Sequence, residues 1–134
     1  MDRSQDWMKQ AEFDFDTAKT LQVNNNFPWA CFITHQAAEK ALKALLEKNN
    51  KPCWGHDLTD LLRSIQETIA VPQEVINACA RLNLYYIPTR YPDAYSSGAP
   101  ADKFTNQQAI DAIKDAKEVL DYVRHKLTNS SENA

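Results

Sequence analysis

In the stretch YYIPTRYPDAYSS, residues 85–97, four tyrosines, two prolines and one arginine fall within thirteen positions. Arg90 brings a planar, always-charged fork that matches a phosphate or carboxylate with paired hydrogen bonds. Tyr85, Tyr86, Tyr91 and Tyr95 can stack on a base and donate from their hydroxyls. Asp93 can accept from a ribose hydroxyl. Together these side chains suit a nucleotide. The same residues also allow a purely architectural reading, in which the tyrosines plug one end of a helical bundle and an Arg90–Asp93 ion pair pins the loop.

The three histidines offer less. His35 lies beside an apolar helical stripe, one turn before Glu39, and reads as a half-buried, hydrogen-bonded imidazole rather than a base, with no nucleophile in view. It is kept as a secondary candidate. His56 precedes Asp57 and most simply belongs to a helix start. His125 sits in VRHKL near a helix C-terminus, where a cation favours the dipole. Cys53 and His56 form a lone Cys-x-x-His without a second half, so no metal site is expected. The EKALKALLEK charges read as a solvated helix face.

Composition narrows the classes. The chain has 134 residues, 43% hydrophobic and 25% charged, with a formal net charge of −3. This is an ordinary balance for one globular domain, and it excludes nucleic-acid binding through bulk positive charge. With only two glycines, Gly55 and Gly98, neither a phosphate loop nor a dinucleotide fingerprint can be built. No cofactor is expected. No apolar run approaches the ~18 residues that span a bilayer. The polar start MDRSQDWMKQ lacks a signal-peptide pattern, and three scattered cysteines (Cys31, Cys53, Cys79) suit free thiols in a reducing cytoplasm.

Helices must position the loop. Trp7, Met8, Ala11, Phe15 and Ala18 make an amphipathic helix of residues 4–22, with Phe13 off its stripe. Residues 28–48 give the strongest helix. Pro28 suits its first turn, and Trp29, Phe32, Ile33, Ala37, Ala41, Leu42 and Leu45 face the core, with Glu39 and Lys43 on the outer side. Asp57 is the expected N-cap of a third helix carrying Leu58, Leu61, Leu62, Ile65 and Ile69. Pro72 opens a fourth, striped by Val75, Cys79, Leu82 and Tyr86, which Pro88 must stop. After a long loop a last helix spans about 105–127, capped by Thr105, with Ala109, Ile113, Ala116, Leu120, Val123 and Leu127 inward; residues 128–134 read as a frayed, disordered tail. The fold class is all-α, an up-and-down bundle of four or five helices in a single domain, 1–134.

Three segments in this order, ACFITHQAAEKALKALL, GHDLTDLL and LNLYYIPTRYPDA, resemble the HEPN family (higher eukaryotes and prokaryotes nucleotide-binding domain). The resemblance implies a helical bundle that commonly forms homodimers. It also implies a frequent partner, a separate minimal nucleotidyltransferase, and relatives that are metal-independent endoribonucleases, toxins of toxin–antitoxin pairs among them. Those ribonucleases carry an arginine, four to six further residues and a histidine. Here the corresponding positions after Arg90 are Tyr95, Ser96 and Ser97, and no other arginine has a histidine at that spacing. Imidazole exchanges protons near neutral pH, whereas a tyrosine with a reference pKa near ~10 does not. The expectation is therefore a non-catalytic nucleotide- or RNA-phosphate-binding module with Arg90, Tyr91, Asp93, Tyr95 and Tyr86 as its ligand site. Two alternatives stay open: an atypical ribonuclease with Tyr95 or His35 in the proton role, and a dimerisation or antitoxin-docking domain with no small ligand.

Overall fold

The computed structural model describes residues 1–86 and 89–132. Five helices follow one another: α1 (Ser4–Val23), α2 (Phe27–Lys48), α3 (Leu58–Gln66), α4 (Gln73–Asn83) and α5 (Asn106–Glu132). Two single 3-10 turns, Pro92–Ala94 and Pro100–Asp102, lie between α4 and α5. There is no strand among the described residues, and none of their helices is long and apolar enough to cross a membrane.

The asparagine clusters explain how the long helices stop. Asn25 and Asn50 adopt φ of 63° and 56°, each one residue past a helix cap. The N–H of Asn26 reaches Leu21 O at 2.8 Å while that of Asn25 reaches Gln22 O at 3.1 Å. The same pair of bonds recurs after α2, from Lys51 to Leu46 O and from Asn50 to Glu47 O. Both are Schellman closures with asparagine in the left-handed position that glycine usually fills. The first turns the chain within residues 24–26, so α1 and α2 pack as an antiparallel pair.

α2 is the axis of the molecule, and it contacts each of the other four helices. Ala30, Ala37, Ala38, Ala41 and Ala44 are completely buried, and small side chains let neighbouring helices approach closely. Leu42, Leu45 and Leu46 fill the remaining space, with Leu58, Leu82 and Leu120 supplied by the surrounding helices.

Several local expectations meet the structure directly. Asp57 caps α3, accepting from the N–H of Thr59 at 2.9 Å and of Asp60 at 3.4 Å. Thr105 and Gln108 form a reciprocal capping box at the start of α5, each side chain bonding the other's backbone N–H. Phe13 is exposed.

Others need correction. Glu39 and Lys43 are buried, 4% and 7% exposed, not on an outer face, because α2 is covered nearly all round. Trp29 leaves the core stripe and stands 46% exposed at the start of α2. α4 ends at Asn83, before Tyr86; the Pro88 expected to stop it lies outside the described residues. On α5 the inward set includes Ala112 and Val119, while Ile113 is only partly covered. The polar tail expected at 128–134 falls partly on α5 and partly, at 133–134, outside the described residues.

Candidate functional site

Arg90 sits in a cage of rings. Its Cζ lies 4.4 Å from the ring centres of both Phe32 and Tyr86, and 4.9 Å from that of Tyr91. Its Nε donates to the carbonyl of Tyr86 at 2.9 Å. Phe32 comes from the second turn of α2 and Tyr86 from the chain just past α4, so the two elements together fix the guanidinium. Thr89 helps by closing a local turn, its hydroxyl donating to Tyr85 O at 2.6 Å. The Arg90–Asp93 ion pair of the architectural reading is absent among the described residues. Arg90 is therefore anchored by one backbone bond and three π faces, and its terminal N–H groups are not spent on a carboxylate.

Arg90 lines a cleft of about 300 Å³. Thr89, Pro100 and Ala101 line it together with Asn26, Pro28 and Trp29 at the start of α2. The Asn26 side chain makes no capping bond to the helix, so the positive end of the α2 dipole adds to the charge of Arg90 there. Trp29 meets Phe32 edge-on, ring centres 5.7 Å apart, and lines the cleft.

The tyrosines divide. Tyr86 and Tyr91 belong to the cage. Tyr85 packs against Phe104, ring centres 5.9 Å apart, and burial raises its pKa. Tyr95 lies against the core with the Lys103 ammonium 5.5 Å from its ring centre; desolvation raises its pKa as well, which weakens any role as a base. Asp93 is exposed on the first 3-10 turn. Arg90, Tyr86 and Tyr91 are thus brought together, while Asp93 and Tyr95 are near in sequence without a contact to the guanidinium.

A second cluster adjoins the cage through Tyr86. The ring of His56 stacks on that of Tyr86, centres 5.0 Å apart and 17° from parallel. Its Nδ1 lies 2.8 Å from Glu39 Oε1, and Glu39 Oε2 accepts from Lys43 at 3.0 Å. The carboxylate holds the proton on Nδ1, so Nε2, which has no partner among the described residues, is left for other chemistry. His56 is 53% exposed at its side chain. His35 behaves oppositely. It is fully buried, its Nε2 donates to His56 O at 2.9 Å, and its Nδ1 lies 3.2 Å from the Gln36 side-chain amide. Burial lowers its pKa, as expected of a structural imidazole. His56 is the residue that sequence reasoning undervalued. Its one visible signal was a His35-x₃-Glu39-x₃-Lys43 ladder of ionisable groups one helical turn apart, which needs an outside partner once buried.

Among the described residues no three metal-binding side chains gather. The geometry is that of a caged cation beside an imidazole–carboxylate pair, on an alanine-packed helical bundle.

That architecture has a family. Residues 4–126 match the HEPN domain model, and the chain belongs to the HEPN family. A crystal structure of TT1696 from Thermus thermophilus superposes with a TM-score of 0.91 at 39% identity, covering 94% of this chain and 99% of the other. An archaeal HEPN homologue (ST0689) gives 0.79 at 33%, with 94% and 98% covered. A HEPN domain protein from Thermotoga maritima gives 0.74 at 26%, with 91% and 97% covered. A Methanocaldococcus jannaschii relative named "Putative toxin MJ1304" is 26% identical over 127 residues, spanning 88% of this chain and 84% of its own length.

Proposed function

We propose that this HEPN domain is a binding module for a nucleotide or RNA phosphate, held at Arg90 in the cleft beside Trp29. The observation that carries this reading is the guanidinium itself: ring-caged, bonded once to backbone and without a carboxylate partner among the described residues. A purely structural arginine in this setting would be expected to spend its fork on Asp93. Tyr91 and Trp29, each 46% exposed, supply faces for a base. In this reading the protein acts as a homodimer alongside a separate minimal nucleotidyltransferase, as the family resemblance implies.

The test is an NMR titration with ATP, GTP and a short RNA, on the natural protein and on Arg90→Ala. Saturable shifts around Trp29 and residues 85–97, lost in the variant, support the module. Flat titrations with every ligand refute it and favour a docking domain without a small ligand.

One observation favours a second reading, a toxin-like ribonuclease. His35 and Tyr95 are poorly placed for proton transfer, but His56 is half-exposed and oriented by Glu39, an arrangement suited to a general base. RNA cleavage in the presence of a chelator, lost in both Arg90→Ala and His56→Gln, is the expected result under this reading. Intact RNA after prolonged incubation rules it out.

A further inference from the structure

Two cavities, of about 620 and 580 Å³, share Trp7, Glu47 and Cys53 in their linings. The larger also takes in Trp54. This indole is 84% exposed, more than any other aromatic ring among the described residues, although burying an indole is strongly favourable. Glu47 is the unmatched charge beside it. By spacing its natural partners are Lys43, one turn before it on α2, and Lys51, four residues after it. Yet Lys43 bonds Glu39 at 3.0 Å and Lys51 bonds Glu67 at 2.7 Å. The Arg3 guanidinium, in the smaller cavity, bonds Asp6. Glu47 accepts the backbone N–H of Arg3 at 3.2 Å and has no cationic partner among the described residues. The fold itself shows what completes such a pair. The Lys43 ammonium lies 5.6 Å from the ring centre of Trp7 while bonded to Glu39. Trp54 and Glu47 line one cavity with the same two elements, ring and carboxylate, and without the cation.

We propose that this cavity docks an arginine side chain of a partner protein, its guanidinium stacked on Trp54 and bonded to Glu47. Arginine suits the pair better than lysine, because its planar fork meets a carboxylate with paired hydrogen bonds while its face lies on an indole. The two lysines of the lining do not oppose it. Each is matched by its own carboxylate and withdrawn from solvent, Lys43 to 7% exposure and the Lys51 side chain to 16%. An anionic partner would meet cations already matched and one carboxylate that is not. A wholly apolar partner would bury Glu47 uncompensated, which is costly. Charge complementarity therefore selects a cation. Neither Trp54 nor Glu47 belongs to the Arg90 cage, so the inference does not rest on the phosphate-binding reading.

The test uses protein labelled with 5-fluorotryptophan, whose ¹⁹F resonances are assigned from Trp29→Phe and Trp54→Phe. The probes are the blocked tripeptides Gly-Arg-Gly, Gly-Lys-Gly and Gly-Glu-Gly. The arginine peptide should shift Trp54 saturably and leave Trp29 in place, which also reports that the fold is intact. The lysine peptide should bind more weakly and the glutamate peptide should leave Trp54 unmoved. Glu47→Gln should weaken the arginine peptide about fivefold, ~1 kcal/mol, with the Trp29 resonance unchanged. Equal binding of the arginine and lysine peptides, or undiminished binding to Glu47→Gln, would overturn the proposal as general attraction of cations to an acidic protein. It also falls if no peptide moves Trp54 while dilution of the protein alone does, since the face would then be a contact between copies of this chain.

Discussion

The centre of α2 and the loop after α4 both hold charged groups against aromatic rings, yet they treat charge in opposite ways. On α2, Glu39 engages Lys43 and His56, and the buried Asp14 of α1 takes bonds from Gln10 and Lys40. No buried side-chain nitrogen or oxygen among the described residues lacks a partner. In the loop, Arg90 receives π faces and one carbonyl but, among the described residues, no counter-charge. A group buried for architecture must be matched, since an uncompensated charge in the interior costs several kcal/mol. A group meant for a ligand can be held by rings and backbone, which restrict its motion without consuming its hydrogen bonds.

That contrast can be broken most sharply at Glu39. Glu39→Ala leaves the buried Lys43 ammonium without its carboxylate and should cost about 3 kcal/mol of stability, read as a lower urea midpoint at unchanged slope. A loss under ~1 kcal/mol would show that α2 tolerates unmatched charge and that the contrast is not real. Arg90 should respond in the reverse sense. Arg90→Lys keeps the charge over the rings but removes the fork, so phosphate-ligand affinity should fall roughly tenfold, ~1.4 kcal/mol, while the urea midpoint barely moves. Calorimetric titration beside denaturation measures both, and a large stability loss would place Arg90 with the architectural charges.

His35 sharpens the architectural side through pH. Burial, the largest influence on it, lowers its pKa below the reference of 6.5. As pH falls below about 6.5, the unfolded chain takes up a proton that the folded one resists. The stability tied to His35 is therefore complete above that pH and is lost progressively toward its folded value. Denaturation at about pH 7.5 and pH 5.5 should show this fall, and His35→Asn should flatten it. Equal slopes in the two proteins would remove His35 as the cause. The smallest effect is expected at the surface. Arg81 bonds Asp115 through two nitrogens at 2.9 Å, but its side chain is 59% exposed, so Arg81→Ala should cost at most ~1 kcal/mol, and less in high salt.

The sequence displays some of this and hides the rest for physical reasons. Helix positions were legible because periodic stripes and caps are local: Asp57, Thr105 and the asparagine clusters act within a few residues of themselves. The burial of Glu39 and Lys43 was not. Their spacing on α2 matches a solvated pair, and only the wrapping of the other helices around α2 shows otherwise. His56 was hidden for the same reason. GHD reads as the start of a helix, while the carboxylate that orients the imidazole lies on α2 and the ring that stacks on it lies past α4. Arg90 was visible by type and company, yet its partners were not, since the nearby Asp93 offered a simpler pairing than rings from two elements.

The Asn25 closure also bears on the order in which the molecule assembles. By turning the chain within residues 24–26 it makes the α1–α2 contact local, and local contacts form fastest because little loop entropy is lost in making them. The Arg90 cage needs Phe32 from that hairpin and Tyr86 from a much later segment. Folding should therefore run from the hairpin outward, with the Arg90 cleft among the last features to form and the first to open. A defect at Asn25 would be felt as slow folding, and a defect in the cage as fast unfolding.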